Sequence, residues 1–307
     1  MKKRYIITWV LVLMEIIFFS LLSNNFLSFN NFKSILQNTT ELSIIAIGMT
    51  MVMITGGIDL SVGASLGVVG IITGWLLQAS LPNFLIIVIV IVISSLIGLV
   101  NGVLITYGKI PDIIATIGTN YILRASIFGM LGGKWLTGIP DVFGGFTSGS
   151  VLFIPNVLIF MIILYLIFHI FMTYMPMGRR IYMLGNSVET MNIFGMNTNI
   201  TKLFTYSLLG SFVGIASLFY IARLGSVEIT VGMDLPIQVI AAVVIGGTSV
   251  LGGSGSLIGT FGGVLFMGIL RNGINIMGVP SLWERVIIGI FIIISVLIDI
   301  IINKLKK

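Results

Sequence analysis

An aspartate set among glycines between two apolar runs is the first place in this sequence where chemistry could sit. The segment is Thr55-Gly56-Gly57-Ile58-Asp59-Leu60-Ser61-Val62-Gly63. A carboxylate among membrane-length apolar runs costs at least ~2.5 kcal/mol at a bilayer centre, so Asp59 should face protein or a water-filled path. The paired Gly56 and Gly57 release the backbone from helix, which is tolerable only where a cavity or a neighbouring helix satisfies the freed groups. The competing reading is a turn on the cytoplasmic side with Asp59 or Ser61 as a helix cap.

A second glycine-rich stretch runs from Ile245 to Thr260 and contains Gly246-Gly247-Thr248-Ser249 and Gly252-Gly253-Ser254-Gly255. Phosphate binding fails there on spacing: Ile258 stands where a dinucleotide fingerprint needs glycine, and no lysine follows for a P-loop. Gly132-Gly133-Lys134-Trp135 also lacks the remaining P-loop residues. No motif for ATP binding is present in this chain. Glycines do recur every four residues, at Gly255, Gly259 and Gly263, at Gly63 and Gly67, at Gly70 and Gly74, and at Gly210 and Gly214. Such stripes let helix backbones approach closely in lipid. The two Gly-Gly regions, Met53-Ile-Thr-Gly-Gly and Val244-Ile-Gly-Gly, also look faintly alike, which hints at an internal repeat.

Polar residues within the apolar runs are few. Thr116, Asn120 and Arg124 share one helical face, and Asn101 lies in the preceding run. They either line a path for a hydroxyl-rich solute or bond helix to helix. The single histidine, His169, has apolar neighbours and no acidic residue within a helical turn, so it reads as a satisfied interior residue. Without cysteine, disulfides and thiolate metal sites are excluded.

Outside the apolar runs, Asn186-Ser187-Val188-Glu189 matches a helix start with Asn186 as N-cap. Gly195 can end that helix as C′. The short helix would carry Val188, Met191, Ile193 and Phe194 on an apolar side, which either meets a partner or lies flat on lipid.

The elements that must position these residues follow from composition. Of 307 residues, 57% are hydrophobic and 8% charged, against roughly 25% charged in a soluble domain. Such a chain covers itself with hydrocarbon, so it is an all-α polytopic membrane bundle. At about 20 apolar residues per crossing, ten spans are expected, near 5–22, 36–55, 62–80, 84–107, 113–131, 153–175, 203–222, 235–249, 256–272 and 283–302. The second, third, eighth and ninth are read as broken or re-entrant at glycine-rich joins. The first reads as an uncleaved span, because Ser23-Asn24-Asn25-Phe26 is a poor signal-peptidase site.

Ten basic residues fall on the side of both termini, including Lys2, Lys3, Arg4, Arg179, Arg180, Lys306 and Lys307, and five on the other. Both termini are therefore expected in the cytoplasm. This rule also accounts for the net charge of +6 without a nucleic-acid partner. Residues 1–307 form a single transmembrane domain, with 176–202 as a cytoplasmic loop and 132–150 outside.

With these residues in view, the chain resembles the membrane permeases of ribose-type sugar ABC importers of bacteria. Thr55 to Gly63 reads as that family's TGGIDLSVG segment without a mismatch, and Gly246 to Gly259 as its GGTS-x-x-GG-x-G-x-x-x-G segment. Asn272-Gly273-Ile274 fits the element that follows. The stretch from Gly185-Asn186 to Gly195-Met196 sits where the family carries its ATPase-contacting coupling helix, departing by Thr190 and Met191 in place of small alanines.

The resemblance implies a multi-pass protein of the bacterial cytoplasmic (inner) membrane. It implies a second permease copy or paralogue, two cytoplasmic ATPase subunits that bind ATP and Mg²⁺, and an extracytoplasmic sugar-binding protein. Asn186, Val188, Glu189, Met191, Phe194 and Gly195 would couple to the ATPase. Gly56, Gly57, Asp59, Ser61, Asn101, Thr116, Asn120, Gly246, Gly247, Thr248 and Ser249 would line or gate the path. The cargo would be ribose or a similar sugar, with an autoinducer, nucleoside or branched-chain amino acid as alternatives.

An ion-coupled secondary transporter would need buried carboxylates or histidines as carriers, and the acidic residues Glu15, Glu41, Asp112, Glu228, Asp234, Glu284 and Asp299 are sparse and mostly near span ends. An intramembrane enzyme would need a Ser-His, paired-Asp or His-x-x-x-His arrangement, and none is present. No cofactor is expected in this chain.

Overall fold

The computed structural model describes residues 2–304. The chain runs α1 (Lys2–Leu22), α2 (Phe29–Asn38), α3 (Thr40–Ile54), α4 (Val62–Gln78), α5 (Asn83–Thr106), α6 (Asp112–Leu131) and α7 (Gly144–Ser148). A two-stranded antiparallel hairpin follows, β1 (Ser150–Val151) on β2 (Ile154–Pro155), in register Val151 with Ile154. Then come α8 (Asn156–Tyr174), α9 (Pro176–Asn186), α10 (Val188–Ile193), α11 (Thr198–Leu224), α12 (Leu235–Ile245), α13 (Leu257–Ile276) and α14 (Ser281–Lys304).

Among the described residues six helices (α1 from Tyr5, α5, α6, α8, α11 and α13) are long and apolar enough to cross a bilayer, and α2 with α3 makes a seventh as one bent span. The apolar α4 and α12 are shorter. Each expected span coincides with a helix or a bent pair, including the 24-residue α14. Lys306 and Lys307, which entered the charge count, lie outside the described residues.

Two details differ from the sequence reading. The second span ends at the Gly56–Gly57 join as expected, and it is also bent by 46° at Thr39, where no glycine stands. Thr39 donates its hydroxyl to Ile35 O at 2.8 Å and Leu36 O at 3.2 Å, and a threonine hydroxyl bonding back to the preceding turn bends a helix. The helix of the eighth span, α12, stops at Ile245 rather than 249. The 132–150 loop and the 176–202 loop also contain helix, namely α7, α9, α10 and the start of α11.

The core lies around α3, all fifteen of whose residues are buried. A helix with no polar face has neighbours on every side, and α11, α12, α8 and α13 all pack on α3. Glycine makes the closest approaches possible. A Cβ on Gly210 would stand 2.2 Å from Ser94 O of α5, and one on Gly98 2.2 Å from Tyr206 O of α11. A Cβ on Gly263 would stand 1.9 Å from Ala242 O, and one on Gly259 2.0 Å from Gly246 O, so α12 and α13 touch backbone to backbone. These are the small-residue seams that membrane helices use in place of a hydrophobic driving force.

Candidate translocation and coupling site

The join after α3 begins with a left-handed glycine. Gly56 has φ +83, its N–H bonds to Met53 O at 2.9 Å, and the Gly57 N–H bonds to Val52 O at 3.1 Å. This pair of bonds is the Schellman ending, which needs positive φ at C′. The join after α12 ends the same way: Gly247 has φ +88, with bonds from Gly247 to Val244 O at 2.8 Å and from Thr248 to Val243 O at 3.2 Å. The faint likeness of the two Gly-Gly regions is thus a likeness of helix stops. A serine precedes the next helix in both cases, Ser61 before α4 and Ser256 before α13.

Asp59 is buried, with 2% of its surface exposed. Its Oδ1 accepts from the Ser61 N–H at 2.8 Å and the Ser61 hydroxyl at 2.6 Å. Asn101 of α5 donates Nδ2 to Asp59 Oδ2 at 3.1 Å and to Ser61 Oγ at 2.8 Å. Asp59, Ser61 and Asn101, nominated separately from the sequence, therefore form one network. It joins the two readings of Asp59, since the carboxylate both shapes the turn before α4 and is enclosed by protein. The carbonyl Oδ1 of Asn101 is buried without a partner among the described residues.

Further bonds hold the same join. Thr116 of α6 lies 3.4 Å from Ile58 O. Tyr206 of α11 donates to Asp112 Oδ2 at 3.1 Å, and Lys202 stands 3.7 Å from Asp112. A Cβ on Gly57 would come within 2.6 Å of both Asp112 Oδ2 and the Tyr206 hydroxyl. Arg124, on the face of Thr116, donates to the carbonyls of Val231 and Ile229. On that face Thr116 and Arg124 tie α6 to backbone elsewhere, while Asn120 is half-buried and makes no side-chain hydrogen bond among the described residues.

In the second join, Thr248 and Ser249 are buried. Ser249 N–H bonds to Ser254 O at 2.9 Å and closes the glycine loop. The Thr248 hydroxyl is buried without a partner among the described residues.

The two joins and the 176–202 loop meet at one point. Gly253 N–H donates to Ile54 O at 2.8 Å, capping a carbonyl that the end of α3 leaves open. Asn186 Nδ2 donates to Gly253 O at 3.3 Å, and the Tyr182 hydroxyl to Gly255 O at 3.0 Å. Burial raises the Tyr182 phenol above its usual range, so it stays a neutral donor. A Cβ on Gly185 would stand 1.8 Å from Ile54 O and 2.5 Å from Gly253 N. The end of α9 thus touches both glycine joins through backbone atoms.

Asn186 is not the N-cap of the next helix. It ends α9, and Ser187 caps α10, accepting from Thr190 N at 3.0 Å. Glu189 therefore lies one position too early for a capping box with it. Gly195 is C′ as expected, with φ +66 and Schellman bonds from Gly195 to Asn192 O and from Met196 to Met191 O, both 3.0 Å. The apolar side divides. Met191 is fully buried and anchors α10, while Val188, Ile193 and Phe194 are exposed.

One site was missed. At the other end of α3, Glu41 accepts from Arg223 Nε at 3.0 Å and Nη2 at 2.9 Å. Asn38 accepts from Arg223 Nη1 at 3.1 Å. This cluster borders a cavity of about 270 Å³. The span map held a signal for it, because Glu41 and Arg223 fall near the ends of two spans.

Comparison with known proteins supplies the lineage. Residues 31–296 match the family described as branched-chain amino acid transport system / permease component. The chain is 35% identical over 303 residues to the ribose import permease protein RbsC of Escherichia coli (strain K12), covering 97% of this chain and 94% of the relative. It is 36% identical to RbsC of Bacillus subtilis (strain 168), covering 92% and 89%. With the autoinducer 2 import system permease protein LsrD of Photorhabdus temperata it shares 31%, covering 94% and 88%. No solved structure gives a significant match. On the length of the family match and of these alignments, the chain belongs to this family of membrane-transport permease components.

Proposed function

We propose that this chain is the membrane-spanning permease of a bacterial ATP-driven importer and carries a small sugar of the ribose type across the inner membrane. The observation that carries the coupling half of this reading is the backbone contact of Gly185 with Ile54 and Gly253. Force applied to α9 and α10 reaches both glycine joins without passing through a flexible side chain. The cargo half rests on the names of the relatives, two ribose permeases and one autoinducer permease.

In this reading ten spans place both termini and residues 176–202 in the cytoplasm. Two permease copies, or this chain and a paralogue, stand on two ATPase subunits that hold ATP and Mg²⁺, and an extracytoplasmic binding protein delivers the sugar. The exposed Val188, Ile193 and Phe194 meet the ATPase, with Glu189 and Asn186 beside them. Closure of the ATPases around ATP pushes α10, and the joins at Gly56–Ser61 and Gly246–Ser249 shift against one another at the Gly185 contact. The network of Asp59, Ser61, Asn101 and Thr116 keeps the α3–α4 join in register with α5 and α6 during that movement. Asn120, on the same face of α6, is left to meet cargo.

The test is to tag the chain, extract it gently from its native membrane and identify what accompanies it. A P-loop ATPase in near-equal amount supports the importer reading. Its absence, where known complexes survive, overturns it. The family description favours a second cargo, a branched-chain amino acid. Competition by unlabelled leucine, but not ribose, for ATP-driven uptake would establish that cargo instead.

A further inference from the structure

The cavity beside Glu41 has no part in the coupling contact. Glu41 lies in the first turn of α3 and Ile54 is its last residue, so about 20 Å of helix separate the two at 1.5 Å per residue. The beginnings of α3 and α12, the ends of α11 and α13, and the connection from Gly225 to Asp234 enclose it. Its volume is about 270 Å³, just below the roughly 300–1,000 Å³ of clefts that take drug-sized ligands. That is room for a monosaccharide and too little for a peptide.

The lining has a definite chemistry. Glu41, Glu228 and Asp234 bring three carboxylates, and Arg223 and Arg271 two guanidinium groups. Arg285, outside the lining, offsets Asp234 by pairing with it at 2.7 Å, which leaves two carboxylates and two guanidinium groups. A balanced lining offers a charged solute as much repulsion as attraction. A hydroxyl, in contrast, donates to a carboxylate and accepts from a guanidinium or amide with the same oxygen.

Two lining groups wait for such a partner, since the side chains of Glu228 and Gln238 make no hydrogen bond or ion pair among the described residues. Tyr220 and Met267 supply apolar wall, against which the C–H face of a sugar ring can rest.

We infer that this cavity is a binding site for a neutral polyhydroxylated solute of monosaccharide size, held by Glu228 and Gln238 against the Glu41–Arg223 pair at the extracytoplasmic end. The inference deepens the importer reading and takes from it only the side from which the solute enters.

The chain has no cysteine, so Thr230→Cys, at the exposed edge of the cavity, gives this chain of the assembled importer a single thiol there and keeps both Glu228 and Gln238. In right-side-out vesicles the rate of labelling by a membrane-impermeant maleimide is measured with and without D-ribose or ribitol. Labelling should slow about tenfold at a probe concentration ten times the dissociation constant. D-ribose 5-phosphate and choline should not slow it. Leu152→Cys, on the exposed hairpin, should react at one rate throughout.

No reaction from outside, no protection by either neutral probe, or equal protection by the charged probes would each overturn the inference. Protection by the binding protein alone would overturn it too, by marking a docking surface. If Thr230→Cys fails to insert, Met233→Cys at the same exposed edge carries the same test. ATP-driven uptake in the same vesicles reports on the importer separately. Uptake without protection removes the cavity site and leaves the importer, and protection without uptake does the reverse.

Discussion

Replacing Gly185 with alanine should disconnect ATP hydrolysis from transport. The added methyl would sit 1.8 Å from Ile54 O and 2.5 Å from Gly253 N, both backbone atoms. No rotamer can relieve such a clash, so α9 must move away or the glycine loop must. Movement of the loop stretches the Gly253 N–H to Ile54 O bond of 2.8 Å, and movement of α9 stretches the bond from the Tyr182 hydroxyl to Gly255 O of 3.0 Å. Leaving either pair unmade in a dry contact costs about 1–3 kcal/mol, and overpacking a fitted interior another 1–3 kcal/mol. A total near 3 kcal/mol shifts a local equilibrium by about a hundredfold. The contact is then mostly open.

The assay is paired measurement of ATP hydrolysis and sugar uptake by the assembled importer in proteoliposomes. Gly185→Ala should lower uptake per ATP by at least tenfold while the ATPase stays bound. Gly118→Ala is the control, because a Cβ there meets nothing within 4 Å and alanine favours a helix interior. If Gly185→Ala transports at the wild-type ratio, force does not pass through this contact and the coupling argument fails.

Val188→Asp with Phe194→Asp should abolish capture of the ATPase and leave membrane insertion intact, whereas Met191→Asp should lower the yield of folded protein because Met191 is buried. ATPase capture by the double variant, in a pull-down, would refute the assignment. Asp59→Asn should destabilise the join by about 1.5–3 kcal/mol through loss of charge-assisted bonds, read as a lower midpoint of thermal unfolding in detergent. A variant with normal midpoint and normal uptake would reduce Asp59 to an ordinary turn residue. Glu41→Gln should cost less than the about 3–5 kcal/mol of a fully buried broken pair, because the Arg223 side chain is 28% exposed and solvent screens it. An unfolding midpoint equal to wild type would show that the pair does not tie α3 to α11.

What the sequence disclosed was local. Each expected span has its helix because hydropathy needs no knowledge of neighbours. The stop at Gly56 was legible for a similar reason, since a left-handed C′ position selects glycine, whereas the helix expected to reach 249 stops at Ile245. Adjacent residues of equal capping ability were harder: Asn186 and Ser187 both cap well, and the turn of α9 decides between them. The bend at Thr39 arises from a hydroxyl that bonds backwards, which the residue type permits and does not require. Non-local pairs were out of reach, as Glu41 and Arg223 are 182 residues apart. So was the Gly185–Ile54–Gly253 contact, where three backbones converge and no side-chain chemistry marks the place. The inward turn of Met191 depends on α9 lying beneath it, which a helical wheel of α10 alone does not contain.

The brevity of α12 bears on how the protein enters its membrane. Eleven residues make a helix of about 16 Å, roughly half the hydrocarbon thickness of a bilayer. Such a segment is too short to be held there by its own partitioning. Its backbone seam with α13, at Ala242 against Gly263 and Gly246 against Gly259, lets the two leave the translocation machinery as one hairpin. Synthesis must then proceed beyond Ile276 before either is secure. A nascent chain stalled at Ser256 should keep α12 open to aqueous labelling, and one stalled after Lys304 should not.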